Sequence, residues 1–142
     1  MKKFLISLLC IFATASAEKY ALLSVYDKTG IQECARSLLD QEYTLLSTGG
    51  TFKKIQEILT DDEEGRLVQV SDYTGSPEIL DGRVKTLHPK IFGGLLARRD
   101  VEDHMNQLKN LKTARIDVVV VNLYPFKETA KEVGITEEDV RE

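Results

Sequence analysis

Cysteine is scarce in this 142-residue sequence, which holds only Cys10 and Cys34. No framework of internal disulfides can be built from such a pair, and nothing in the remainder demands an oxidising compartment. Cys34 falls on the apolar side of a predicted helix, where a buried structural thiol is expected, and no chemistry is assigned to it. Basic charge is outweighed as well: 19 Lys and Arg stand against 23 Asp and Glu, a net charge of -4. That excludes a global positive field for nucleic acid or anionic lipid, so any anion binding must be local. The histidines, His88 and His104, have no neighbouring ligand pattern and suggest no metal site. Long apolar runs are missing too, since Phe4 to Ala13 is too short to span a bilayer as a mature helix.

That run nevertheless differs from the remainder of the chain. Met1-Lys2-Lys3, the apolar centre and Ala15-Ser16-Ala17 have the order of a secretory signal. Residues 1–17 are therefore read as a signal-like leader or an N-terminal extension. Residues 18–142 are read as one domain, because the chain, 42% hydrophobic, can bury one sizeable core and is too short for two.

From Tyr20 onward, short β-rich runs alternate with helical patterns, which implies an α/β fold with a mainly parallel sheet covered by helices on both faces. Tyr20 to Val25 is an apolar run suited to a buried strand. Ile31, Cys34, Ala35, Leu38 and Leu39 then mark one helix face, with Thr29 as its cap. Tyr43 to Leu46 reads as a second strand, Phe52, Ile55, Ile58 and Leu59 as the inner face of a second helix, and Asp61 to Glu64 as a solvated turn. Leu67 to Val70 supplies a third strand. Ser76-Pro77-Glu78 has the order of a helix start, predicting a short helix that stops near Gly82. Val101, Met105, Leu108 and Leu111 give another helical stripe, with Asp100 as its cap. Ile116 to Val121 comes next as a strongly β-branched central strand, and Thr136 to Asp139 resembles a capping box close to the chain end.

In open α/β sheets, ligands gather at the carboxyl ends of the strands. Here those ends run into Ser24 to Gly30, Ser47 to Thr51, Ser71-Asp72 and Asn122 to Phe126, all of them polar or glycine-rich. Ser47-Thr48-Gly49-Gly50-Thr51 is the best phosphate candidate, because paired glycines let backbone approach an anion while threonines add hydroxyl donors. It lacks the lysine of a Walker loop and the spacing of G-x-G-x-x-G, so an ordinary strand-to-helix turn stands beside the phosphate reading. Lys28 is either a phosphate contact or a solvated charge. Asp81 to Lys90 (D-G-R-V-K-T-L-H-P-K) concentrates basic side chains in an acidic chain. In an extended segment Arg83 and Lys85 point to one side, which suits an anionic or carbonyl-bearing ligand; an exposed basic loop broken by Pro89 is the plainer account. His88 is either an acid-base group or a residue fixing the loop by hydrogen bonds. His104 is read as structural.

In order and spacing, S-V-Y-D-K-T-G, L-L-S-T-G-G-T, V-S-D-Y-T-G-S-P-E, D-G-R-V-K-T-L-H-P-K and N-L-Y-P-F resemble the inosine-monophosphate (IMP) cyclohydrolase domains of bifunctional purine-biosynthesis proteins. The match runs from about Tyr20 to Glu142. G-R-V-K-T-L-H-P is highly specific, whereas S-T-G-G-T also recurs across the wider methylglyoxal-synthase-like fold. The resemblance implies a three-layer, Rossmann-like sandwich of that type and closure of the purine six-membered ring. In that reaction the carboxamide nitrogen of formyl-aminoimidazole-carboxamide ribotide attacks the formyl carbon, and water leaves. No metal or redox cofactor is implied. By motif match, Thr48, Gly49, Gly50 and Thr51 would cradle the 5′-phosphate, with Ser24 and Lys28 beside it. Arg83, Lys85 and Thr86 would face the base, Lys85 stabilising the developing oxyanion. Asn122 and Tyr124 would orient the reacting groups, with Tyr124 as a proton relay.

Departures from the family pattern accompany the match. Tyr26 stands where many relatives carry serine. The family continues with an Ile-Asp-Ile-Gly-Gly segment and an Ala-Ala-Lys-Asn segment, whose aspartate and lysine belong to the same site, and neither occurs here; nor does a formyltransferase domain. The chain is therefore expected to be a C-terminally incomplete cyclohydrolase domain. The alternative is a non-catalytic nucleotide- or phosphate-binding module of the same fold. Purine chemistry implies the cytoplasm, and the five motifs are weighed above the leader, which implies export. The expected partner is a small-molecule nucleotide, not nucleic acid or membrane, and the family's habit implies a homodimer.

Overall fold

The computed structural model describes residues 18–123. The signal-like segment, the Thr136 to Asp139 capping box and Tyr124 lie outside the described residues.

The first strand, β1 (Lys19–Ser24), leads into helix α1 (Ile31–Asp40), and β2 (Tyr43–Ser47) leads into α2 (Gly49–Gln56). A 3₁₀ helix (Asp61–Arg66) precedes β3 (Leu67–Gln69) and the short α3 (Val70–Thr74). Then come α4 (Pro89–Leu96), α5 (Glu102–Asn110) and β4 (Ile116–Val121). The sheet has the order β3-β2-β1-β4, and every strand pair is parallel.

Period-two alternation sorts the strands' apolar residues into two layers. Ala21, Leu23 and Leu45 pack with Ile31, Ala35, Leu38 and Leu39 of α1 and with Ile55 of α2. Leu22, Leu46 and Ile116 face the other way and pack with Val70 of α3 and Ile91 of α4. Helices thus cover both faces, the three-layer arrangement expected. Each fully buried leucine or isoleucine in these layers contributes about 1.5–3 kcal/mol. Cys34, half-buried, packs against the first layer.

Several local expectations are corrected. No helix follows Ser76; instead Ile79 and Val84 form an antiparallel bridge. Leu80, Asp81 and Gly82 between them all have positive φ, which no right-handed helix can contain, so turn chemistry overrides the helix-start signal. Pro89 opens α4 rather than breaking a loop: it occupies the first turn, where its missing N–H costs nothing, and His88 Nδ1 caps it by accepting from Lys90 N at 3.1 Å. Thr29 does not cap α1, whose N-cap is Gly30 at φ 72°. Its hydroxyl donates instead to Asp27 Oδ1 at 2.7 Å, within an Asx turn. Val101 takes the cap position of α5, because Asp100 is held by Arg98 at 2.8 Å. The turn at Asp61 is a 3₁₀ helix, tied to α1 by the 2.7 Å pair of Arg36 and Glu63.

Within the described sheet β4 is an edge strand rather than a central one, and Val119 and Val121 are exposed. Its lone acid, Asp117, is neutralised by Arg99 at 2.7 Å. At Gly94 of α4 a Cβ would come within 2.5 Å of the Ala114 carbonyl oxygen, so only glycine lets this helix lie against the approach to β4. No helix among the described residues is long and apolar enough to cross a membrane.

Candidate functional site

Strand order places a topological switch beside β1: the chain moves outward from β1 through β2 to β3, then returns to lay β4 on the other side of β1. Loops at the carboxyl ends of β1 and β4 therefore diverge and leave a crevice, the usual ligand position in such sheets. A cavity of about 780 Å³ opens there. That volume lies within the range of small-molecule sites. Of the sequence-predicted residues, Ser24, Lys28, Thr48, Gly50, Thr51, Arg83, Lys85 and Asn122 line it together. Gly49 and Thr86 are not among its lining residues.

The floor is built from hydroxyls. Ser24 Oγ and Thr48 Oγ1 are hydrogen-bonded at 2.8 Å, joining the ends of β1 and β2. Thr51 Oγ1 accepts from Val25 N and donates to Val25 O, both at 3.1 Å, so its hydroxyl clips the first turn of α2 to the β1 loop. Thr48 and Thr51 are almost wholly buried. These bonds fix the backbone of the S-T-G-G-T turn at the start of α2, where free N–H groups and the helix dipole favour an anion.

One wall is the β1 loop. Asn122, just beyond β4, accepts from Tyr26 N at 2.7 Å and donates from Nδ2 to the Asp27 carbonyl at 2.8 Å. A single side-chain amide thus ties two loops across the switch point. Lys28 Nζ donates to the Tyr26 carbonyl at 3.0 Å, and its Cε would lie 3.1 Å from a Cβ at Gly50, so glycine lets the lysine stem run over the turn. The Thr29 N–H and hydroxyl, both bonded to Asp27, hold that carboxyl below its usual range.

The opposite wall is the Ile79–Val84 hairpin with Lys85. Arg83 sits in the turn, not on an extended strand, and is mostly exposed, paired with Asp81 at 3.4 Å. Lys85 is more enclosed and pairs with Glu78 at 3.5 Å. Both cations line the cavity, and hairpin geometry, not strand alternation, brings them there. Sequence reasoning missed Asp81 and Gly82 as lining residues, and missed Glu78 as Lys85's partner. Asp-Gly turn chemistry signalled the first two; Glu78 ends the V-S-D-Y-T-G-S-P-E motif, but its pairing with Lys85 exists only in three dimensions.

His88 caps α4 and His104 Nδ1 accepts from Arg98 N at 3.1 Å, so each imidazole has a structural bond. No group of three His, Cys, Asp or Glu among the described residues could hold a metal ion.

The family model described as "MGS-like domain" matches residues 30–141. The bifunctional purine biosynthesis protein PurH of Thermoanaerobacter sp. (strain X514) is 52% identical over 124 residues, covering 87% of this chain and 23% of that protein. PurH of Bacillus cereus (strain B4264) is 50% identical over 125 residues, covering 88% of this chain and 24% of that protein. The chain thus spans about a quarter of the length of these curated relatives. A solved structure, "Crystal structure of ForH", superposes with a TM-score of 0.63 at 32% identity, covering 76% of this chain and 54% of that one.

Proposed function

Because the chain belongs to the MGS-like domain family, we propose that it works in purine biosynthesis as the N-terminal part of an IMP cyclohydrolase. The observation that carries this is the cavity at the switch point, with S-T-G-G-T and Lys28 on one side and Arg83 and Lys85 on the other. Relatives about half identical over most of the chain support the same reading.

In this reading the phosphate of formyl-aminoimidazole-carboxamide ribotide rests on the backbone of Thr48, Gly49, Gly50 and Thr51, with Ser24 and Lys28 beside it. Anchoring the phosphate lets the ligand fold so that its carboxamide nitrogen lies against its formyl carbon. The C–N bond forms, charge gathers on the former formyl oxygen, and Lys85 stabilises it with Arg83 and Thr86 on the base side. The bond from the former formyl carbon to oxygen then breaks and the oxygen leaves as water with two protons, one given up by the carboxamide nitrogen and one by the formamido nitrogen, which becomes doubly bonded to that carbon. Tyr124 relays a proton and Asn122 holds the wall in place. The protein acts in the cytoplasm as a homodimer.

A second reading has a specific observation behind it. The Thr51 hydroxyl and the Asn122 amide both bond neighbouring backbone, an arrangement that suits holding a ligand in place whether or not it is turned over. That is what a nucleotide-binding module requires.

Incubation of the purified chain with the formylated ribotide, following IMP formation, separates the two. The enzyme reading expects turnover lost in Lys85→Ala and lowered in Tyr124→Phe. Tight IMP binding without turnover, indifferent to Tyr124→Phe, leaves the module.

A further inference from the structure

The segment D-G-R-V-K-T-L-H-P-K ends in His88, Pro89 and Lys90, none of which lines the cavity. His88 is nevertheless bonded on every side. Its backbone N–H donates to the Thr86 carbonyl at 2.8 Å, its own carbonyl accepts from Ile91 N and Phe92 N at 3.0 Å, and its ring Nδ1 accepts from Lys90 N at 3.1 Å. An Nδ1 that accepts carries no proton, so the neutral ring bears its hydrogen on Nε2. The helix that His88 opens is rooted in the core. Ile91 is fully buried, Gly94 lies against the Ala114 carbonyl, and Lys90 Nζ donates to the Tyr73 carbonyl at 3.1 Å while lying 5.6 Å from the centre of that ring. Upstream, the hairpin is far less anchored: Ile79 and Leu80 are 51% and 65% exposed, and a single bridge pairs Ile79 with Val84. Lys85 and Thr86 sit between these unequal supports, Lys85 tethered by Glu78 at 3.5 Å and Thr86 by the His88 N–H.

We propose that His88 is a positioning residue for Lys85 and Thr86. Its imidazole caps α4, keeps the first helical turn wound against the core, and so gives the link from Val84 a fixed far end. Without that cap the Lys90 N–H loses its acceptor, the first turn frays, and the Thr86 carbonyl is bonded to a moving amide. Lys85 then has only an exposed hairpin and a partly screened ion pair to hold its ammonium in place. Of the two roles open to His88 from the sequence, fixing the loop is the one this bonding supports, since Nδ1 is engaged in the cap and the residue lies outside the cavity lining. Asparagine is the discriminating substitute. Its Oδ1 is as many bonds from the backbone as Nδ1 and can accept from the same N–H, but it has no ring nitrogen with which to exchange a proton. That Lys85 meets a nucleotide rests on the reading proposed above, whereas the cap and its hold on Thr86 belong to the free protein.

The test is calorimetric titration of the full chain with IMP for wild type, His88→Asn, His88→Ala, Lys85→Met and the variant carrying both His88→Ala and Lys85→Met. His88→Ala should bind about fivefold more weakly, the scale of one lost N-cap, and His88→Asn should stay within about twofold of wild type. In the Lys85→Met background His88→Ala should cost less than about twofold, because the main contact it positions is already gone. Asparagine as weak as alanine overturns the proposal, as does unaltered binding by alanine or an alanine loss undiminished without Lys85. If His88→Ala does not fold, ¹⁵N NMR of the wild-type imidazole in mildly alkaline buffer decides: the proton should be found on Nε2, and a proton on Nδ1 refutes the cap. Absence of IMP binding by wild type would sink the nucleotide reading and leave hydrogen exchange to judge His88. Without ligand, the His88 and Lys90 amides should exchange about fivefold faster in His88→Ala than in His88→Asn, and equal rates would overturn the proposal.

Discussion

Replacing Asn122 tests whether the switch-point wall matters through its architecture or through direct contact with a base. Asn122→Ala removes two hydrogen bonds, from Tyr26 N at 2.7 Å and to the Asp27 carbonyl at 2.8 Å. Each is worth roughly 1 kcal/mol when buried. Asn122 is exposed and water replaces part of the loss, so a total of about 1 kcal/mol is the reasonable size, or about fivefold in any equilibrium that needs the loop in place. Lys28 sits on that loop, so the loss should appear in binding of inorganic phosphate as well as of IMP. Asn122→Asp should be worse than alanine, because one carboxylate oxygen replaces the donor facing the Asp27 carbonyl and brings negative charge to the cavity. Calorimetric titration with both ligands should rank the proteins Asn, then Ala, then Asp. If phosphate binding is unmoved while IMP binding falls, Asn122 acts on the base directly and the loop-tying argument fails. Aspartate binding phosphate as well as alanine does would refute the electrostatic part.

Packing and charge elsewhere in the molecule have their own consequences. Gly94→Ala should lower stability despite alanine's better helix propensity. The propensity gain is about 1 kcal/mol, but a Cβ 2.5 Å from the Ala114 carbonyl oxygen forces α4 away from the approach to β4, an overpacking cost of about 3 kcal/mol. A net loss near 2 kcal/mol lowers Tm by about 7 °C, read by thermal circular dichroism; an unchanged Tm would contradict the described α4 packing. Acid should weaken the attachment of the 3₁₀ helix to α1. The Arg36 hydrogen bond, with Thr60 behind it, lowers the Glu63 carboxyl from 4.5 to about 2. A depressed carboxyl contributes stability that is present above the unfolded value and lost as pH falls toward the folded one. Between about pH 5 and 2, wild type should therefore lose more stability in urea melts than Glu63→Gln. Parallel acid profiles would deny the pair that role.

Elements with long periodic signals were legible in the chain. The α1 face Ile31, Ala35, Leu38 and Leu39 is buried as its spacing requires, and β4 occupies Ile116–Val121 as its β-branched run requires. Short elements were not, because a few residues of propensity are easily outvoted. Left-handed Leu80, Asp81 and Gly82 turned a helix-start pattern at Ser76 into a hairpin, and His88 with Pro89 made a helix start out of an apparent loop.

The sequence by itself determined the α/β class and which side chains near the carboxyl ends of the strands bear charge or hydroxyl groups, although Ser71-Asp72, expected in a loop, lies in α3. These depend on periodicity and residue type, which are local. Tertiary structure alone decided that β4 returns beside β1, that Asn122 and Thr51 serve neighbouring backbone, and that Glu78 lies between Gly49 and Lys85. Each of those depends on how separate segments pack across the sheet, and no pattern within one segment encodes the charge that another will place against it.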